Sequence, residues 1–145
     1  MALLRAVLLF SAIEVIVRIT DLPRAARWLG TRLEFSERPP GGELHALDID
    51  PAKRRSLVML GRVARHWPFG PRGACLRLSL AAATVLRSRA PTLRLAIGPS
   101  PSIEVTAHAW LEVDGIAVTD PGRGYVPLLE HGGPRLQRDQ LQRDQ

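Results

Sequence analysis

Residues 73–98, "GACLRLSLAAATVLRSRAPTLRLAIG", change period part-way through. As far as Leu86 the apolar residues recur at helical spacing, with Leu76, Leu80 and Ala83 on one side and Leu86 close by. Arg87 and Arg89 suit the negative end of the helix dipole, and Pro91 stops the helix. "TLRLAIG" then reads as a strand. A helix running directly into a sheet strand organises the rest of the chain around it.

On the C-terminal side, "IEVTAHAWLEV" is strand-like, and "IAVTD" follows across Asp114-Gly115, a strong hairpin signal. The N-terminal side is helical. In "MALLRAVLLFSAIEVIVRIT" the longest charge-free run covers only residues 6–13, and no small-residue cleavage site follows. Ser11, Glu14 and Arg18 form one polar stripe, with Glu14 preceding Arg18 in the favourable order. This pattern predicts a mostly buried helix; peripheral membrane contact or a partner interface is the minority alternative. Asp21 and Pro23 cap and open a second short helix ending near Gly30.

"SERPPGGELHALDIDP" is rich in Pro and Gly and reads as a connection. A third helix starts after Asp50, with Pro51 in its first turn, and places Leu57, Leu60, Val63 and Ala64 on one face. Pro68 in "WPFGPRG" breaks it. Helices, then a cysteine-bearing helix, then an antiparallel sheet make an α+β fold. The expected organisation is an N-terminal helical region over 1–66, a core over 67–130 and a polar tail over 131–145. The tail repeat "LQRDQLQRDQ" carries no assigned chemistry.

With 145 residues, 46% apolar and 5% aromatic, the chain has enough material for one domain with an aliphatic core. Its single cysteine excludes an internal disulfide and any zinc site built from several thiolates, and neither a metal nor a cofactor is expected. The net charge of +6 comes almost entirely from arginine, since Lys53 is the only lysine. These arginines are scattered, with Lys53-Arg54-Arg55 the one run, and no aromatic-plus-basic motif accompanies them. Nucleic acid is therefore not the expected partner; an acidic peptide or a protein suits the charge better.

A thiol works as a nucleophile only as thiolate, and a helix N-terminus favours that form. Cys75 lies in the first turns of its helix, a position that by itself does not separate a nucleophile from a core thiol. Of the four histidines, His45 lies in a connection, His66 ends a helix and His131 sits in a Gly-flanked loop. His108 lies inside a strand with a hairpin partner. Asp120 is the preferred orienting acid, with Glu104, Glu112 and Asp114 as rivals.

The turn decides the geometry. A two-residue turn at Asp114-Gly115 sets Ala109 against Asp120 and sends His108 and Asp120 to opposite faces. A three-residue loop with Gly115 in a left-handed bulge sets His108 opposite Asp120. The hydrophobic pattern favours the two-residue turn, so catalysis requires the bulge or another irregularity. In that case His108 exchanges the proton of Cys75, Asp120 orients the imidazole, and the Cys75 N–H is an oxyanion donor. A second donor is sought among "WPFGPRGA".

"CLRLSLAAATVLRSR", "LRLAIG" and "AHAWLEVDGIAVTD", in that order, resemble the transglutaminase-like cysteine protease of lasso peptide biosynthesis. That family's pattern is a Cys opening a helix with Ser four residues on, an A-H-A-W-[LV]-E segment, and a D-G hairpin closing on Asp. Here these are Cys75, Ser79, the segment from His108 to Glu112, Asp114-Gly115 and Asp120. The likeness is clear over 57–120 and looser over "EVIVRITDLPRAARWLG". Arg89-Ala90-Pro91 departs from it, standing where the family commonly has an Arg-rich turn with Gly.

The resemblance implies a transglutaminase- or papain-like core, a cytoplasmic bacterial location and removal of the leader from a lasso precursor peptide, typically after a threonine next to last in the leader. The freed amine would then be cyclised by an asparagine-synthetase-like partner. Family members carry a small, strand-rich leader-recognition domain either fused or separate. Because 1–66 reads as helical, the expectation is the stand-alone protease acting with a separate recognition protein. Another acyl-transfer enzyme or amidase on the same fold, and a non-catalytic peptide-binding module, are the alternatives.

Overall fold

Capping residues start the early helices where the sequence places them. The computed structural model describes residues 2–35, 47–68, 73–98, 106–119 and 126–127. Helix α1, Ala2–Ile19, turns Ala6, Phe10 and Ile13 into the core and leaves Leu3, Leu4, Leu8 and Ile19 outside. Among the described residues no helix is long and apolar enough to cross a membrane. Helix α2, Leu22–Trp28, is capped by Asp21, whose carboxylate accepts from the Arg24 N–H at 2.8 Å. Helix α3, Pro51–Arg65, is capped by Asp50, which accepts from the N–H groups of Ala52 and Lys53.

Helix α4, Ala74–Val85, begins after Gly73 in the left-handed conformation, at φ 73°. It is the central helix, touching α1, α3, β2 and β3. That position requires small residues on several sides, and Ser79, Leu80, Ala81, Ala82 and Ala83 are all buried. One core cluster joins Phe10, Ile13, Leu60, Val63, Leu80, Leu93 and Ala109. A second joins Leu47 and Ile49 to Ala82, Ala83, Leu86, Leu111 and Val113. The helical region and the cysteine helix therefore share their packing.

One buried charge ties α1 to α4. Glu14, 6% exposed, is held by Arg18 at 2.8 Å and by Arg77, which stands two residues after Cys75. The stripe in the sequence showed the Arg18 partner, but not Arg77. Burial pushes the Glu14 carboxyl up, yet the bonds and charges of Arg77 and Arg18 outweigh it and hold the group below its ordinary value. A lowered folded pKa means stability that is present above the ordinary carboxylate range and lost as pH falls through the folded value. Glu14→Gln is expected to cost about 2–3 kcal/mol at pH 7, because Arg77 keeps its charge without its partner. Thermal denaturation should show the gap from wild type shrinking as pH falls through the folded pKa.

After α4, a 3-10 turn, Arg87–Arg89, leads through Ala90 (φ 46°) and Pro91 into strand β2, Thr92–Gly98. Strand β3, Thr106–Val113, pairs antiparallel with β2, from Thr92 against Glu112 to Ala96 against His108 and beyond. Strand β4, Ile116–Ala117, pairs antiparallel with β3, and β5, Val126–Pro127, pairs antiparallel with β2. Strand β1, Arg32–Glu34, lies parallel to β2.

The α+β class is as the sequence indicates, with two differences. The sheet is mixed rather than antiparallel, and the first 66 residues are not all helical or connecting, because β1 falls among them. Three residues are too few to show an alternating pattern. The strand is held instead by long-range bonds: Thr31 Oγ1 and the Arg32 N–H both donate to the Pro91 carbonyl, at 2.9 and 3.1 Å.

Candidate active site

Cys75 is the second residue of α4, and Gly73 at the cap contributes no side chain to the first-turn N–H groups. The thiol is half-buried. It borders a cavity of about 400 Å³ walled by Ala74 and Leu78 of α4, Gly61, Ala64 and Arg65 of α3, and Trp67. Trp67 is set by packing on Phe10, with ring centroids 5.2 Å apart.

Helix α4 brings the thiol to strand β3, where His108 and the Ala109 N–H both hydrogen-bond it. Partial burial, the largest single influence, disfavours the thiolate. The bond from His108, the Ala109 N–H, the positive charge of His108 and the Leu76 N–H together outweigh it, and the thiol sits below its ordinary value. The His108 ring also stacks on Trp110, centroids 6.3 Å apart and planes 22° apart.

The hairpin explains why the Ala109 edge is available. Asp114 and Gly115 both have positive φ, 52° and 78°, so the turn is the two-residue type that opposes Val113 to Ile116. The three-residue bulged turn is absent. The irregularity comes later. The Val118 N–H still donates to the Leu111 carbonyl, at 2.7 Å, but the Leu111 N–H turns to Thr119 Oγ1, at 2.8 Å, in place of a backbone carbonyl. The ladder departs from regularity there, and the outward C=O of Ala109 takes the Ser79 hydroxyl at 3.3 Å while its N–H takes the thiol.

Ser79 and Thr119 also bond each other at 3.0 Å, so a part-buried hydroxyl pair fastens the cysteine helix to the end of the hairpin. Ser79, one turn after Cys75, was visible as part of a motif; Thr119 was not singled out. The signal available for Thr119 was a β-branched hydroxyl at a ladder end.

Of the acids near His108, Glu112 is committed elsewhere. It accepts from the Trp110 indole at 2.8 Å and from Arg94 at 2.9 Å. Asp114 is exposed and pairs with Arg89 at 3.1 Å. Asp120 and Glu104 lie outside the described residues, as do His45 and His131. His66 ends α3 as its C-cap. The structure thus brings Cys75 and His108 together, and two of the rival acids hold other partners. Among the described residues no group of three or more His, Cys, Asp or Glu is placed to hold a metal ion.

A half-buried thiol at a helix start, bonded by a strand histidine and opening on a cavity, is the arrangement on which the family comparison bears. The profile of the transglutaminase-like superfamily matches residues 16–130. The chain belongs to the transglutaminase-like superfamily. No curated protein and no solved structure matches it closely enough to add to this. The matched span takes in Cys75, His108 and Asp120, together with the last four residues of α1 and all of α2 and α3. The transglutaminase-like superfamily includes cysteine peptidases and acyltransferases, and the fold is compatible with either. Both chemistries begin the same way: a thiolate attacks a carbonyl and a protonated base lets the leaving group go.

Proposed function

We propose that this transglutaminase-like protein is a cysteine peptidase that removes the leader from a lasso peptide precursor. The observation that carries the chemistry is Cys75 at the start of α4, bonded by His108 beside an open cavity. The three motif segments in family order, from Cys75 to Asp120, support the substrate assignment.

In this reading the Cys75 thiolate adds to the scissile carbonyl, and its backbone N–H receives the developing oxyanion. Protonated His108 donates to the departing amine, leaving leader acyl joined to Cys75 as a thioester. Water, deprotonated by His108, then attacks the thioester and frees the leader acid, and the thiol is restored. Asp120 is assigned to orient the imidazole and support its charged form. It follows directly on Thr119, the residue at which the hairpin leaves the regular ladder. A continued two-residue ladder would set Asp120 against Ala109, away from His108, so this departure favours the assignment.

The proposed setting is the bacterial cytoplasm, with a separate leader-recognition protein to present the precursor and an asparagine-synthetase-like cyclase to take the freed core. The test incubates precursor, recognition protein and this chain in the presence of a small primary amine, with mass spectrometry of the products. Free leader with a carboxylate end is the expected result. Leader carrying the added amine would instead support acyl transfer, which the superfamily also includes. Intact precursor would sink both.

A further inference from the structure

Gly61 lies inside α3, ten residues after its start, where glycine weakens a helix relative to alanine. Two reasons ordinarily keep a glycine in such a place, and neither applies. Its φ is not positive, and a Cβ built on it meets no atom within 4 Å, so no neighbouring backbone presses against it. The space it leaves is not open surface in general. Gly61 lines the cavity that Cys75 borders, with Ala64 one turn along the same helix and Leu78 and Trp67 across from it.

We propose that Gly61 holds open a substrate subsite beside Cys75 that takes an apolar, aliphatic side chain flanking the scissile bond. The walls supply the chemistry. Ala64 and Leu78 present only hydrocarbon, Trp67 presents an indole, and the one charge, Arg65, is on an exposed residue. An aliphatic group entering there is removed from water against bare helix backbone at Gly61, where a larger residue would occupy its place. Gly61 is thus a specificity-determining residue, and the fold gives up some helix stability to keep it. This inference rests on Cys75 being the nucleophile of a peptide-acting enzyme.

The test reads the cavity through the thiol, without requiring peptidase activity. Cys75 in the full chain is alkylated with iodoacetamide and with its N-pentyl derivative, each rate being followed by intact mass and divided by the rate for glutathione. Wild type is expected to favour the pentyl reagent by about 10-fold or more, in line with discrimination by an apolar pocket. Gly61→Leu should bring that ratio to about one while leaving the iodoacetamide rate within about two-fold. Gly61→Ala should lower the ratio part-way and raise Tm by about 3 °C, since alanine suits the helix better.

A wild-type ratio near one, or a ratio unchanged in both variants, overturns the subsite. A lowered ratio in Gly61→Ala alongside a raised Tm excludes misfolding as its cause. The ratio can be read whether the thiol is fast or slow. A Cys75 no more reactive than glutathione at neutral pH therefore counts against the catalytic role, separately from the subsite.

Discussion

Under the proposed function, Cys75→Ala is expected to lose cleavage of the precursor by about 10⁴-fold or more, with the melting temperature nearly unchanged. The size of the loss follows from the proposed mechanism, because without this sulfur no thioester forms for water to attack. What remains is the contribution of orientation and of the helix N–H groups, which a methyl group does not disturb. The small effect on stability follows from the position. The thiol is half-buried and borders a cavity, so removing it vacates little close-packed volume. Precursor binding, measured by fluorescence anisotropy, should persist in Cys75→Ala. A variant that retained cleavage would show that Cys75 is not the nucleophile.

His108→Ala is expected to lower kcat/KM by about 10³- to 10⁴-fold and to move the pH dependence of Cys75 alkylation upward. The sign follows from the five influences on the thiol. His108 supplies a hydrogen bond and a positive charge that favour the thiolate, whereas burial opposes it. Deleting His108 removes both favourable influences and leaves burial opposed only by the Ala109 and Leu76 N–H groups. The rate of iodoacetamide alkylation should therefore rise with pH at a lower midpoint in wild type than in the variant. A free thiol, near pKa about 8.5, is the reference. Equal midpoints in the two proteins would mean that the bond to His108 does not set the thiol's ionisation, and the catalytic pair would fail.

Much of the fold can be read from short stretches because short-range chemistry writes it. Asp21 and Asp50 cap their helices through N–H groups two or three residues away, although α4 itself ends at Val85, and Pro91 comes only after the 3-10 turn and the left-handed Ala90. The type of the Asp114-Gly115 turn is likewise local. The apolar pattern of Val113, Leu111 and Ala109 had already favoured the two-residue form that the positive φ values show. The sequence could not show how a regular hairpin leaves room for a helix at its edge. That depends on Thr119 substituting its hydroxyl for a carbonyl and bonding Ser79, forty residues earlier.

The candidate site divides along the same line. Cys75 at a helix start and His108 in a strand were legible as residue types in positions suited to their chemistry. Glu112 remained a rival acid in the sequence, because its commitment to Trp110 and Arg94 involves a partner on a neighbouring strand.

By itself, then, the sequence determined where the helices lie and how the early ones start, the two long strands, the α+β class, and a cysteine at a helix start with several histidines to choose among. Tertiary structure alone decided that β1 joins the sheet in parallel, that Glu14 reaches Arg77, and that His108 is the histidine bonded to Cys75. The physical reason is distance along the chain. Caps and turns are settled by bonds within four residues, whereas these pairings need the chain to close large loops. Leu80, Leu93 and Ala109, far apart in the chain, share the one core that holds those loops closed.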